Sequence, residues 1–94
     1  MSPLKFSKAS FSPKALAAFS DWAMIDPKIV VRIHTLIKDI QRNGLLEGIG
    51  KPERLKHRPG YYSRRIDKSN RLVYTVDKGD VYIVSCKGHY EEED

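Results

Sequence analysis

Two charged residues in the chain have types and surroundings that could serve chemistry. Glu53 lies in the stretch KPERLKH (residues 51–57), where a single carboxylate stands among three cations and a histidine. A carboxylate in such company is ordinarily half of a solvated ion pair, or it is a base in a centre built for an anionic substrate. Arg71 opens a β-prone run, and a guanidinium held on a rigid strand can offer a planar fork to a phosphate. The alternative role of Arg71 is an ion pair with Asp67 or Glu53.

His89 and Tyr90 follow directly after the last β-prone run. A histidine can donate a proton near neutral pH, and a tyrosine can stack on a base. Taken alone, a histidine at such a position is an exposed bystander. A base, a phosphate clamp and a proton donor are together the minimum set for cleaving RNA through its own 2′-hydroxyl. The base removes the hydroxyl proton, cations stabilise the phosphorane, and the acid protonates the departing 5′-oxygen.

Positive charge is concentrated in one segment of the chain. The net charge is +5, and residues 51–71 alone contribute eight Lys and Arg against two carboxylates, or +6. A concentrated positive charge is typical of a surface that meets phosphates, whereas a solubilising face usually mixes the two signs. The eight cations are Lys51, Arg54, Lys56, Arg58, Arg64, Arg65, Lys68 and Arg71.

Composition narrows the class of protein. Ninety-four residues, 40% of them hydrophobic, fit one small globular domain, which we place at residues 1–90, followed by a disordered acidic tail at 91–94. No apolar run is long enough for a membrane helix, and the N-terminal residues lack the apolar core of a signal peptide, so we expect a cytoplasmic protein. A single cysteine, Cys86, agrees with a reducing compartment. No Cys/His cluster or Gly-rich phosphate loop is present, so we expect no metal and no cofactor.

Two helices are predicted in the first half of the chain. Ser12-Pro13 and Asp26-Pro27 each provide an N-cap followed by proline at the first helical position. The first helix is predicted to run through Met24, and the second to end at Asn43, before Gly44. A first strand is predicted at residues 3–7. The second helix carries a buried apolar stripe formed by Ile29, Ile33, Leu36, Ile37 and Ile40.

Three β-prone runs, YSRRI, RLVYTV and VYIVSC, occupy the second half. The polar gaps DKSN and DKGD between them fit hairpin turns. Alternation in the middle run puts Leu72, Tyr74 and Val76 on one face of the sheet, with Arg71, Val73 and Thr75 on the other. The predicted fold class is α+β, β-α-α-β-β-β, with two helices packed on a twisted antiparallel sheet.

The ordered combination of GKPERLKH, YYSRRI, NRLVYTV and KGHY resembles the YoeB/Txe branch of the RelE-type toxins, over residues 28–90. The resemblance implies a RelE-like fold and the toxin of a bacterial type II toxin–antitoxin pair. It implies a metal-independent endoribonuclease that cleaves mRNA in the ribosomal A site. It also implies a cognate antitoxin with an acidic C-terminal segment, a homodimer, and contact with operator DNA only through the toxin–antitoxin complex.

The resemblance also implies roles for individual residues. Glu53 is the expected general base, Arg71 the phosphate clamp, His89 the general acid, and Tyr90 a residue that positions the nucleotide. Lys56 is implied as a phosphate or transition-state contact. The expected RNA-binding set around these residues comprises Lys51, Arg54, His57, Arg58, Tyr62, Arg64 and Arg65, of which Arg65 is the favoured further active-site cation.

Two other classes of function fit the charge of the chain. One is a noncatalytic nucleic-acid-binding module that uses the same basic surface, in which Glu53 is dispensable or even harmful because it repels phosphates. The other is a protein-interaction module whose cationic groove only holds an acidic antitoxin segment. Such a module predicts no RNA cleavage in the presence of ribosomes and no toxicity on expression.

Overall fold

The structure, a computed structural model, describes residues 3–88. The predictions for His89, Tyr90 and the acidic tail therefore lie outside the described residues. Two helices and five strands follow one another in the order β1 (Ala9–Phe11), α1 (Pro13–Ile25), α2 (Pro27–Asn43), β2 (Glu53–Arg54), β3 (Tyr62–Arg65), β4 (Arg71–Asp77) and β5 (Asp80–Ser85).

Both helices begin and end where local signals predict. The Ala15 amide donates to the Ser12 hydroxyl at 3.0 Å, and the Lys28 amide donates to the Asp26 carboxylate at 3.2 Å. Each cap is followed by proline, whose fixed φ suits the first helical turn and whose missing N–H needs no partner there. Gly44 ends α2 with φ of 102°, a conformation that favours glycine. These predictions are confirmed.

The sheet is mixed, with strand order β1-β5-β4-β3-β2. The pairs β2–β3, β3–β4 and β4–β5 are antiparallel as predicted, but β1 lies parallel to β5. A first strand at residues 3–7 is wrong, because the Lys5 and Phe6 amides donate instead to the Gln41 carbonyl at the end of α2. The α+β class and the two-helix layer are confirmed, and the strictly antiparallel sheet is corrected.

Both helices pack on one face of the sheet and enclose the core. All five residues of the predicted α2 stripe are buried beside Leu72 and Tyr74 of β4. Val76 departs from the predicted alternation, since its side chain is 38% exposed, and a register shift interrupts the β4–β5 ladder between Val73 and Tyr74. Among the described residues, neither helix is long and apolar enough to cross a membrane.

Candidate functional site

The face of the sheet away from the helices brings Glu53 and Arg71 together. Glu53 of β2 is the register partner of Ser63 of β3, so the two side chains share this face. Arg71 of β4 donates from Nη1 to the Ser63 hydroxyl at 3.3 Å, and the same nitrogen lies 4.0 Å from Glu53 Oε1. Arg65, the register partner of Arg71, is exposed on the same face. Three neighbouring strands thus hold a carboxylate and two guanidinium groups as one site.

The two central groups of this site differ in exposure. The Arg71 side chain is 16% exposed and the Glu53 side chain 49% exposed. A mostly buried guanidinium is fixed in orientation, and it retains donors toward an incoming anion because an arginine has five N–H groups. A carboxylate on the outer strand remains reachable by a ligand. The arrangement can therefore bind an oxyanion at Arg71 and accept a proton at Glu53.

Gly88 is held against the start of β4. The Arg71 amide donates to the Gly88 carbonyl at 3.1 Å, and the Gly88 amide donates to the Asn70 side-chain oxygen at 2.8 Å. Asn70 is itself ordered by Asp67, whose Oδ1 accepts from the Asn70 amide at 2.8 Å. These bonds hold the segment that follows β5 next to Arg71. Gly88 is the residue directly before His89.

A hollow of about 130 Å³ adjoins the site on the same face. Val73 and Ser85 contribute to it, and three cations line it, namely Lys14, Arg58 and Lys87. Lys14 comes from the first turn of α1 and gives no signal in the sequence, because only the folded chain brings it to the sheet. Lys87 lies two positions before the predicted acid and could have been suspected from that spacing. The cationic surface therefore extends beyond residues 51–71.

The predicted RNA-binding residues on either side of β2 are at the surface. Lys51, Lys56 and His57 are exposed. The Arg58 guanidinium lies 4.0 Å from the centroid of the Tyr61 ring, a cation–π geometry that orients it. Their roles in RNA contact stay predictions.

Three members of the predicted RNA-binding set lie on the other face of the sheet. Tyr62 is half-buried there and stacks on Tyr74 with ring centroids 5.8 Å apart, so it packs on the core rather than beside Glu53. Arg54 is its register partner and is exposed at the sheet edge. Arg64 is fully buried, and the prediction that it contacts RNA is wrong. The YSRR run alternates, so one of its two arginines must face the core.

Arg64 forms an ion pair with Asp39 of α2, and burial and hydrogen bonding shift two pKa values nearby. Burial acts to raise the pKa of the Asp39 carboxyl, but hydrogen bonds from Arg64 and the Ile49 amide outweigh it and hold that pKa below its usual value of 3.8. Burial raises the pKa of Tyr74 despite its hydrogen bond with Arg64. Within residues 3–88, no group of three or more His, Cys, Asp or Glu residues could hold a metal ion.

Comparison with known proteins places this fold and its acid–arginine face in a class of small bacterial toxins. Residues 11–90 match the family described as YoeB-like toxin of bacterial type II toxin-antitoxin system, and the chain belongs to that family. It is 47% identical to Toxin YoeB of Escherichia coli K12 over 70 residues, covering 73% of this chain and 82% of the relative. It is 51% identical to Toxin YoeB of Synechocystis over 67 residues, covering 70% and 77%.

Solved structures agree with the sequence relatives. The YoeB dimer from Staphylococcus aureus superposes with a TM-score of 0.84 at 50% identity, covering 92% of this chain and 99% of that chain. A YoeB–YefM complex from the same organism gives a TM-score of 0.81 at 51% identity, covering 88% and 97%. The RelE-like fold class predicted from the sequence is confirmed.

Proposed function

We propose that this toxin is an endoribonuclease that cleaves mRNA on the ribosome by attack of the RNA's own 2′-hydroxyl. The observation that carries the proposal is the 4.0 Å approach of Arg71 Nη1 to Glu53 Oε1 on an open, cationic face of the sheet. A ribonuclease needs a base and an anion-stabilising group within reach of one phosphodiester. A surface that only bound nucleic acid would gain nothing from a carboxylate at its centre.

Each residue has a chemical part in this proposal. Glu53 takes the 2′-hydroxyl proton, and the oxygen attacks the adjacent phosphorus. Arg71 binds a nonbridging oxygen of the phosphate and stabilises the charge that grows on it in the transition state. His89 gives a proton to the departing 5′-oxygen, and Tyr90 orients the nucleotide. Support for the last two roles is that Gly88, directly before His89, is hydrogen-bonded to the Arg71 amide.

Further cations would bind the remaining phosphates. Arg65 is the register partner of Arg71, and Lys56 follows Glu53 by three residues. Lys51, His57 and Arg58 extend the surface. Lys14 and Lys87 of the adjoining hollow join this set. Such contacts position the strand of RNA, and they weaken binding rather than slow chemistry when they are lost.

The partners proposed for this chain follow from its charge and its relatives. A segment of net charge +6, residues 51–71, suits an acidic antitoxin segment, and a Staphylococcus aureus YoeB has been solved in complex with YefM. A second relative is described as a dimer, and we propose a homodimer here. Contact with operator DNA is proposed only through the toxin–antitoxin complex. Because the proposed substrate is mRNA on the ribosome, the proposed location of the activity is the cytoplasm.

The test is cleavage of a ribosome-bound mRNA by the purified toxin. Wild-type protein should cut in the A site, and Glu53→Gln, which keeps the shape of the side chain, should cut about 10²–10⁴-fold more slowly at saturating toxin. A matched mRNA with 2′-deoxyribose at the scissile nucleotide should resist cleavage, because it lacks the nucleophile. Efficient cutting of the deoxy substrate would falsify the mechanism. Ribosome binding without any cleavage would instead identify the chain as a noncatalytic binding module.

A further inference from the structure

The connection between α2 and β2 has no regular secondary structure, yet its backbone is tied to one buried side chain. Arg64 is fully buried, and all five of its N–H groups donate. Nε donates to the Tyr74 hydroxyl at 3.0 Å and Nη1 to the Asp39 carboxylate. The other three bonds reach the carbonyls of Gly44 at 2.8 Å, Glu47 at 2.7 Å and Ile49 at 2.9 Å.

Asp39 and Tyr74, the side-chain partners of Arg64, also hydrogen-bond to the connection between α2 and β2. The Asp39 carboxylate accepts from the Ile49 amide at 3.0 Å and from the Asn43 side chain at 2.7 Å. The Tyr74 hydroxyl accepts from Arg64 and donates to the Leu45 carbonyl at 2.6 Å. Four carbonyls and one amide between residues 44 and 49 are thus fixed by three side chains from α2, β3 and β4.

This fixed segment leads directly to Glu53. The Gly50 carbonyl accepts from the Arg65 amide at 2.7 Å. A side chain at Gly50 would meet Leu36 at 2.8 Å and the Arg64 stem at 3.2 Å, so the backbone is closely packed there. Only Lys51 and Pro52 separate this anchor from Glu53, and β2 itself has two residues. So short a ladder at a sheet edge does little to fix a side chain without the anchor that precedes it.

We infer that Arg64, together with Asp39 and Tyr74, is a positioning group that sets the distance between Glu53 and Arg71. The inference rests on the proposed role of Glu53 as the base. Arg64 touches neither the substrate face nor the reacting atoms, so it acts only through the connection it holds. Its neighbour Arg65 faces the site, because side chains alternate along β3. One arginine therefore holds the α2–β2 connection, and the other lies on the surface.

Stability alone does not account for this network. Removing a guanidinium and a carboxylate from water is costly, and well-packed apolar side chains of similar volume often serve a core equally well. An apolar residue could not hold four carbonyls that point inward from an irregular segment, because each needs a donor. The network therefore matches a need for a defined backbone path between α2 and β2.

The variants that test the inference change single polar groups and keep the size of each side chain. Tyr74→Phe removes the hydroxyl that links Arg64 to Leu45 and keeps the ring in the core. Asp39→Asn keeps the shape of the carboxylate and removes its charge. The control is Ile29→Ala, which destabilises the core about 15 Å from Asp39 along α2, a separation of 10 residues at the helical rise. The measurement is single-turnover cleavage of ribosome-bound mRNA at rising toxin concentration.

Tyr74→Phe and Asp39→Asn should lower the plateau rate constant about 10–100-fold, because a displacement of about 1 Å at a reacting group can cost that much. Tyr74→Phe should keep the wild-type half-saturating toxin concentration, whereas Asp39→Asn, which also loses stability, should raise it as Ile29→Ala does. Ile29→Ala should keep the wild-type plateau, since an unfolded fraction only raises the toxin concentration needed. A wild-type plateau in both network variants would overturn the inference.

A double-mutant cycle separates this inference from the proposed function. In a Glu53→Gln background, Tyr74→Phe should cause no further loss of rate, because the group it positions is already gone. The same fold-loss in both backgrounds would refute a role through Glu53. If Glu53→Gln alone cuts at the wild-type rate, Glu53 is not the base. Hydrogen exchange then still tests whether Tyr74 and Arg64 fix the α2–β2 connection. The Ile49 and Arg65 amides should exchange faster in Tyr74→Phe, and unchanged protection would count against the positioning role.

Discussion

Glu53 and Arg71 share one site but differ in how they are held. The Arg71 amide donates to the Gly88 carbonyl and its side chain donates to Ser63. Within residues 3–88, the Glu53 side chain is held by its contact with Arg71 alone. A clamp must keep its orientation while charge grows on the phosphate, and a base must approach and leave a hydroxyl. The difference in anchoring between the two side chains suits the tasks proposed for them, phosphate clamp for Arg71 and base for Glu53.

Arg71→Lys should lose most of the activity of wild type although it keeps the charge. An ammonium cannot present two parallel N–H donors to a phosphate, and Lys is not a conservative replacement at such a site. We expect a fall of about 10²–10³-fold in the single-turnover rate at saturating toxin, comparable to the loss of one transition-state donor. Lys51→Ala is the matched control and should mainly weaken binding. Equal rates for Arg71→Lys and wild type would show that the reaction does not require two parallel N–H donors from Arg71.

Cys86 should be unreactive in the folded protein. Burial raises the pKa of its thiol to about 11, and Sγ lies 3.4 Å from the Ala15 carbonyl in the core. Thiol–disulfide exchange requires the thiolate, which is scarce at pH 8 when the pKa is so high. Labelling with an aromatic disulfide reagent should therefore be slow in buffer and complete in guanidinium chloride. Rapid labelling of the native protein would contradict the described burial.

At the scale of elements, the helices could be predicted from the sequence and the edge strands could not. Ser12, Asp26 and Gly44 act on their own neighbours, so their signals are local. Strand β1 has three residues of which two are Ala and Ser, poor formers of strands, and it exists only because β5 pairs with it. Strand β2 has two residues and depends on β3 in the same way. Pairing between distant segments leaves no pattern in so short a run.

For the candidate site, too, the sequence predicted the local features and missed those that depend on distant segments. Glu53 and Arg71 have types and neighbours that indicate their chemistry, and the structure brings them together. Arg64 and Arg65 are adjacent in one motif, and only the strand period separates a core residue from a surface one. Lys14 joins the site through the packing of α1 on the sheet edge, which no local pattern contains.

The connection between α2 and β2 should make stability depend on acid pH. The folded-state pKa of Asp39 lies below its ordinary value of 3.8, so its carboxylate stabilises the fold above that value. This contribution is lost as the pH falls from about 3.8 through the lowered pKa. At pH 7, Asp39→Asn should lower the free energy of unfolding by about 3 kcal/mol, as expected when one partner of a buried pair is removed.

Urea unfolding at pH 7 and at pH 3 measures this dependence. The difference in stability between wild type and Asp39→Asn should shrink at pH 3. Asp21→Asn is a suitable control, because the Asp21 side chain is 61% exposed and its carboxylate lies 4.0 Å from Lys87 Nζ. A constant difference between wild type and Asp39→Asn at both pH values would show that the ion pair does not titrate as described.

At the scale of the whole molecule, cations from α1, the β2–β3 connection and the end of β5 meet on one side of the sheet. RNA binding should weaken with salt, with a slope of log K against log salt of about −0.7 for each phosphate contacted on a single strand. Lys14→Ala and Lys87→Ala should each reduce that slope by about 0.7. The comparison is Lys28→Ala, which removes an exposed cation from α2 and should leave the slope unchanged. Identical slopes in all three variants would exclude the hollow from the RNA path.

The parallel pairing of β1 with β5 imposes an order on biosynthesis. The Ser12 hydroxyl donates to the Val84 carbonyl across 72 positions, and β1 forms its ladder with β5. The helical hairpin can form early as the chain emerges, whereas β1 waits unpaired until β5 has been made. Arg71 likewise receives its contact with Gly88 only after β5 is complete. The face that carries Glu53 and Arg71 is thus completed last, after the chain has been made through β5.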